Sequence, residues 1–431
     1  MKSFLNLVNQ YLNATDEEEL DNFLLFHEYY SSNNAINERW VYERKSAFFK
    51  LLVKLRHQGK FRKRFRMSEG AFNRLVSLLE PYLQRDSRYS RAKDPVFVEM
   101  IVAIGLRWLS GGTYQEVEDC YNVSTTEAYR CREKFLDAIL SCKELCIELP
   151  DSPEAWETIR RGFAEKSSFG VINGCVGAID GFFQRTIRPS KKCVCGNVVA
   201  YFSGHYEHYG VNCLGICDVE GRYLYFCVAS PGKTNDALSF VEAGGNKILQ
   251  LLPKGAYFVG DAAYELSDQV IIPFTGPQRD NYINDAFNFF LSQSRIRIEM
   301  SFARLTSKWR ILKEPLNGKL NTQIKVIRAC AMLHNFVLDF DYYDDDDDDD
   351  DDALKDGPME MGYYPMRLDP NVPEDKEILD RFKSKVPGHS IVREAIKKFI
   401  ELNDLRRPKY NLERNQKEVQ RSHEVNEYKV E

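Results

Sequence analysis

A two-part α/β protein is predicted, with a helical N-terminal half followed by a mixed sheet flanked by helices. Three observations carry this. Apolar side chains recur at helical spacing through residues 67–149, as at Phe72, Leu75, Leu78 and Leu79 and again at Val98, Ile101, Ile104 and Leu106. From Val171 the texture changes to short β-rich runs at 171–180, 211–218, 223–230 and 256–260. A helical stretch at 237–252 separates the third run from the fourth, an order that belongs to a layered α/β fold rather than to a β-sandwich.

Within the helical half lies a helix-turn-helix candidate. Residues 114–120 form its first helix and Tyr121-Asn122-Val123 its turn, while Ser124 caps a second helix in which Glu127 completes an S-x-x-E box. Arg130, Arg132 and Lys134 then decorate the helix that enters the major groove in such motifs. In the second half the first three strands are joined by loops or turns such as Glu220-Gly221, so antiparallel pairing is expected. The fourth strand follows a helical crossover, which favours parallel addition to the same sheet. Two long helices come next, at 284–312 and 322–340, the second strongly apolar and expected to pack on the sheet. The order divides the chain at 1–62, 63–165, 166–340 and 341–431, the last part containing an acidic tract, a Pro-containing linker, a helical piece at 391–405 and a charged tail.

Charge is unevenly spread. The 431 residues carry 59 Lys+Arg and 64 Asp+Glu, a net −5, but Asp341 and the unbroken run 344–352 supply ten of the acids. Without them the chain is net +5. Between Arg39 and Lys93 sixteen Lys/Arg face four acids, and the densest part, GKFRKRFR at 59–66, interleaves Phe61 and Phe65 with cations. Such a segment neutralises phosphates or serves in nuclear import, so DNA as a partner and the nucleus as a location are expected. Its ordinary alternative is a solvated basic helix face. The aspartate run solvates by default, and it is also a candidate polyanion that competes in cis with DNA.

Several classes are excluded. No apolar run approaches the ~18 residues of a membrane span, since 96–109 is interrupted by Glu99 and Arg107, so a soluble chain without a membrane partner is expected. The N-terminal residues run straight into acids without a small-residue cleavage site, unlike a secretory signal. Eleven cysteines, several inside apolar runs, read as reduced thiols. Cys193 and Cys195 near His205 and His208 match no common zinc spacing.

Four acids stand out. Asp180 ends the strand VGAIDG, Asp236 opens a helix after SPGKTND, Asp261 ends the fourth strand in YFVGDAAY, and Glu299 lies in the helix RIRIEMSFARL. Carboxyl ends of strands are where ligands gather in open α/β sheets. Hard oxygen donors suit Mg²⁺ or Mn²⁺, and a pair of such ions about 3.5 to 4 Å apart serves phosphodiester displacement without a histidine or cysteine base. Each acid also has an ordinary role: Asp236 as a helix cap, Asp180 and Asp261 as turn residues, Glu299 as a salt-bridge partner of neighbouring arginines. A serine hydrolase is not indicated, because GxSxG is absent.

Taken in order and spacing, VGAIDGFF, VASPGKTNDALSF, FVGDAAYELSDQVIIPF and SRIRIEMSFARLTSKWRIL resemble the motif blocks of PIF/Harbinger-type DDE transposases and the domesticated nucleases derived from them. The resemblance spans residues 65–340, including FRMSEGAFNRL and GGTYQEVEDCYNVS. It implies an RNase H-like catalytic domain with a divalent metal cation, Mg²⁺ or Mn²⁺, that cleaves and transfers DNA strands. Asp180, Asp236, Asp261 and Glu299 occupy the matching metal positions, with Asp180, Asp261 and Glu299 as the catalytic triad and Asp236 auxiliary. A separate Myb-like protein often assists DNA binding and nuclear entry in this family. Some neighbours depart from the pattern: Phe182-Phe183 stand where Thr-His is usual, Asn235 where His is frequent, Ala262-Ala263 within the GDSGYP block, and Met300 where Arg often follows the Glu. Three functions are compatible: a metal-dependent nuclease or transposase, a catalytically silent DNA-binding descendant, and another RNase H-like phosphodiesterase or scaffold.

Overall fold

The computed structural model describes residues 44–84, 96–341 and 389–408. The aspartate run 344–352 and most of the expected N-terminal segment lie outside them. Seven helices open the described chain: α1 (Arg44–His57), α2 (Phe61–Phe65), α3 (Glu69–Leu83), α4 (Val98–Leu109), α5 (Tyr114–Tyr121), α6 (Thr125–Ser141) and α7 (Pro153–Lys166). The sheet-containing half follows as β1 (Cys175–Arg185), β2 (Phe202–Ser203), β3 (His208–Cys217), β4 (Tyr223–Pro231), α8 (Asp236–Glu242), α9 (Gly245–Gln250), β5 (Tyr257–Val259), β6 (Val270–Ile271), α10 (Tyr282–Lys308) and α11 (Leu320–Phe340), and α12 (Ile391–Leu402) closes the order. Among the described residues no helix is long and apolar enough to cross a membrane.

The sheet is mixed, as the strand order predicts. Strands β4, β3 and β1 pair antiparallel, and β5 and then β6 add parallel on the far side of β1. Short β2 pairs with the start of β3. Strands β2 and β6, two residues each, have no periodicity to read in a sequence. The stretch expected as one helix at 237–252 breaks at Gly244, whose φ of +81° ends α8 and starts α9. Helices α10 and α11 cover one face of the sheet and α8 the other. Helix α10 buries Phe287, Phe290, Leu291, Ser294, Ile298, Phe302 and Leu305, a stripe at three- and four-residue spacing. One core runs unbroken from Phe48 in α1 through the helical half to α10, α11 and Ile400 in α12, and a second, with Trp156, Ile179, Ile216, Phe240 and Phe258, fills the α8 side.

Helices form at both expected places, α5 from Tyr114 and α6 after the Ser124 cap. Thr113 caps α5, Asn122 turns left-handed at φ 51°, and Ser124 caps α6 by accepting the Glu127 N–H at 3.4 Å. Arg132, however, is not presented on its outer face. Its guanidinium lies over Trp108 and Tyr129, 5.1 and 4.9 Å from their ring centres, and donates to the Tyr114 hydroxyl and Glu133. Cation–π contacts and burial of the long stem hold it inside. Arg130 remains on the exposed face, with Lys134.

Part of the basic segment is also engaged internally, while Lys50, Lys54, Lys60, Lys63 and Arg74 are exposed. Phe61 and Phe65 are buried and pack on each other and on Phe72. Arg56 pairs with Glu69, Arg64 and Arg107 share Glu116, and Arg62 lies 3.5 Å from Asp341. Asp341 does not behave as part of a solvated acidic run. Its carboxylate, 2% exposed, accepts the Ser68 N–H through both oxygens at 3.1 and 3.0 Å, at the N-terminus of α3. Loss of this carboxylate removes the acceptor of the Ser68 N–H and an anion 3.5 Å from Arg62, so Asp341→Ala is expected to destabilise the protein by about 1 to 3 kcal/mol. Urea unfolding checks this; a change below about 0.5 kcal/mol, the range of ordinary surface substitutions, would contradict it.

The last helix packs back on α10. Asp268 accepts from Ser390 and from the Ile391 N–H, and Arg407 pairs with Asp285 at 2.8 Å.

Candidate metal centre

The acids meet where the parallel part of the sheet ends. The last β1–β5 pair is Ala178 with Val259. Two residues on, each chain carries an aspartate, Asp180 and Asp261. Asp180 is not a strand-end residue, as the sequence suggests, because β1 continues to Arg185 on its β3 side, where Asp180 pairs with Gly215. Its β5 side is open from this point, which lets the two carboxylates approach. Asp261 begins a turn and accepts the Ala263 N–H at 2.9 Å.

Asp236 comes from the first turn of α8. The cap itself is Asn235, whose side chain accepts the Leu238 N–H at 2.8 Å, so Asp236 is left to face the sheet. It rests against Gly181. A methyl group there would fall 2.8 Å from Asp236 Cγ, and only glycine admits so close an approach. One carboxylate oxygen from each of Asp180, Asp236 and Asp261 lies within 4.8 Å of the others, and all three residues are partly buried. Among the described residues this is the one cluster of His, Cys, Asp and Glu with metal-ligating spacing. Cys193 and Cys195 are exposed and gather no such group with His205 and His208.

Glu299 stands differently. On α10 it is 46% exposed and pairs with Arg295 one turn earlier, and Arg295 also comes to 4.0 Å from Asp180 Oδ2. The structure therefore gathers three aspartates, with Asp236 as a full member, and ties Glu299 to the cluster through an arginine.

Electrostatics follow from this crowding. Burial, reinforced by the charges of Asp261 and Asp236, pushes the Asp180 carboxyl up to about 7, against the Gly181 N–H it accepts at 2.8 Å and the nearby Arg295. Burial and the Asp261 charge also raise Asp236. Mutual repulsion of this type is relieved by a cation, and carboxylate oxygens suit a hard divalent one. A second feature fits. The Tyr264 hydroxyl, in a residue only 4% exposed, has no hydrogen-bond partner among the described residues, and its phenol is raised by burial and then by all three aspartates. Tyr264 lies in the third motif block, and its place three residues after Asp261 in a turn is its one signal in the sequence.

Phe182 and Phe183 fall on opposite faces of β1. Phe182 stacks on Phe302 of α10 at 5.2 Å, whereas Phe183 stacks on Tyr206 at 4.4 Å.

The comparisons with known proteins agree with the motif blocks. A family model described as DDE superfamily endonuclease matches residues 179–335. The chain is 24% identical to the "Putative nuclease HARBI1" of Rattus norvegicus over 271 residues, which cover 62% of this chain and 73% of that protein. It is 23% identical to the Homo sapiens protein of the same name over the same shares. No solved structure matches the chain. Residues 179–335 thus match a DDE superfamily endonuclease domain, and Asp180, Asp236, Asp261 and Glu299 all fall inside the matched region.

Proposed function

We propose that the protein is a divalent-metal-dependent DNA nuclease of the Harbinger type, with an RNase H-like catalytic domain at 166–340. The observation that carries this is the convergence of Asp180, Asp236 and Asp261 at the end of the parallel strand pair, inside the DDE match. The strand arrangement, three antiparallel and then two parallel, supports the RNase H-like assignment. Asp180, Asp236 and Asp261 would hold Mg²⁺ or Mn²⁺, and Glu299 would join them once released from Arg295. Bound cations supply Lewis acidity to the scissile phosphate and to the attacking hydroxyl or water.

The chain's own residues do the rest. Gly181 admits Asp236, Asp180 yields a proton on ligation, and the unpartnered Tyr264 O–H is a donor for an oxygen brought into the site. Residues 63–165 form a helix-turn-helix-like unit whose exposed Arg130 and Lys134 face DNA phosphates, and nuclear location, with assistance from a Myb-like protein, follows from the resemblance. Cleavage rather than silent binding is favoured because all four acids are kept. Nicking of supercoiled DNA with Mn²⁺ tests this against Asp261→Asn: cutting by the wild type alone is expected, equal cutting by both overturns the assignment, and binding without cutting in either favours the silent alternative.

Two further outcomes are expected. Asp180 must lose its proton to bind a cation, so apparent Mn²⁺ affinity should rise with pH up to about 7, by up to tenfold per unit, and flatten above it. The sign for folding is opposite. The folded pKa of Asp180 lies above the value of about 3.8 for the free side chain, so in the metal-free protein this group loses stability as pH rises from about 4 to about 7. Calorimetric Mn²⁺ titrations at several pH values check the first point, and an affinity independent of pH between 5.5 and 7, within the range of roughly one pKa unit around Asp180, would contradict it. Replacing Arg295 removes a positive charge 4.0 Å from Asp180 and frees Glu299. Arg295→Gln should therefore tighten Mn²⁺ binding about fivefold, the equivalent of roughly 1 kcal/mol. Weaker binding would show instead that Arg295 organises the ligands.

A further inference from the structure

Tyr206 sits at the tip of the β2–β3 hairpin, in the four-residue connection between the paired Ser203 and His208. Its N–H reaches Ser203 Oγ at 3.4 Å, and its side chain folds back over the sheet. The ring lies flat on Phe183, with centres 4.4 Å apart and planes 9° from parallel, and His205 packs against it edge-on at 4.7 Å. Phe183 is fixed from below: a methyl group at Gly210 or at Gly232 would fall 2.6 Å from its Cε2. The upper ring nevertheless stays open, since Tyr206 is 53% exposed. A flat aromatic pair with a rigid lower member and a solvent-facing upper one has no packing role that requires this exposure.

Its position relative to the acids follows from strand geometry. Gly181, on which Asp236 rests, and Phe183 are two residues apart in β1 and so share a face, about 7 Å apart along the strand. That span equals roughly two steps of stacked bases at 3.4 Å each. Burial raises the Tyr206 phenol, and the charges of Asp236 and then Asp180 raise it further.

We propose that Tyr206, backed by Phe183, is a stacking platform for an unpaired base within a nucleotide or two of the phosphate held at the three aspartates. This rests on the nuclease assignment and adds a substrate contact to it. Stacking on an aromatic face is tolerant of sequence, because every base offers a π surface, and a tyrosine gives up little side-chain freedom in making it. It also gives a use to Phe183, while Phe182 on the opposite face packs on Phe302.

The test separates a base contact from a structural one. A fluorescently labelled oligothymidylate and an abasic oligomer of equal length and charge are titrated with wild type, Tyr206→Ala and Tyr206→Trp, and binding is followed by anisotropy in Ca²⁺. The wild type is expected to bind the oligothymidylate about tenfold tighter than the abasic strand. Tyr206→Ala should lose that preference by weakening only the oligothymidylate, and Tyr206→Trp should restore it. Equal weakening of both strands by Tyr206→Ala, no weakening of either, or a wild type that does not distinguish them would overturn the platform. A wild type that shows the Tyr206-dependent preference yet nicks no DNA with Mn²⁺ would leave the platform standing and sink the nuclease assignment alone.

Discussion

Asp180→Asn is expected to lower metal-dependent DNA cleavage by about a thousandfold or more, the equivalent of roughly 4 kcal/mol in the barrier, while making the metal-free protein more stable. Both effects have one origin. Asp180 is partly buried and pressed by the charges of Asp261 and Asp236, so that it holds its proton up to about pH 7. Asparagine keeps the shape and can still accept the Gly181 N–H through its oxygen, but it brings no charge into the cluster. At pH 7.5, above the Asp180 pKa of about 7, the native state no longer confines a third negative charge, and the melting temperature of the metal-free protein should rise. Added Mn²⁺, which should raise the melting temperature of the wild type, should do little to the variant. Thermal melts with and without Mn²⁺, beside the nicking rate, check the pair of effects. A variant that is less stable and equally active would show that Asp180 serves the fold and not the reaction.

Gly181→Ala carries the second large effect. The new methyl group falls 2.8 Å from Asp236 Cγ and nearer still to one of its oxygens, so the carboxylate must withdraw from the cluster. A misplacement of about 1 Å in a catalytic arrangement reduces rate about a hundredfold, and that is the loss expected in cleavage. The strand itself is spared, because the β1–β3 ladder is made by backbone groups and alanine is no worse than glycine in a strand. The variant should therefore retain its far-ultraviolet circular dichroism. Non-additivity is the sharper check: if the methyl group acts only by expelling Asp236, Gly181→Ala combined with Asp236→Ala should cleave no more slowly than Asp236→Ala alone. Multiplying losses would mean that Gly181 acts through something else.

The elements that position the site were legible because they are long or periodic. The stripe of α10 and the β-rich runs of β1, β3 and β4 announce themselves, and the helical crossover before β5 dictates its parallel addition. Four acids were legible from the blocks that contain them. What they do together was not. Whether Asp236 or Glu299 completes a triad with Asp180 and Asp261 depends on Gly181 leaving room for one and Arg295 engaging the other, both tertiary matters. The same holds for charge. Arg64, Arg132 and Asp341 look like surface charges in a sequence, yet the fold pairs the first with Glu116, stacks the second on Trp108 and Tyr129, and uses the third to hold the start of α3. Phe61 and Phe65, interleaved with cations, look suited to nucleic acid and are core residues. Tyr206, by contrast, has no sequence signal at all, since its role arises only when the β2–β3 hairpin lays it on Phe183.

In the proposed function Asp180, Asp236 and Asp261 form one divalent-metal centre. Anomalous diffraction from crystals soaked in Mn²⁺ tests it most directly. The predicted result is a Mn²⁺ peak coordinated by an oxygen from each of the three aspartates, at the roughly 2.0 to 2.2 Å expected of such hard ligands. A fully loaded crystal with no peak among these residues, or with Mn²⁺ held elsewhere while Arg295 still spans Asp180 and Glu299, would contradict it.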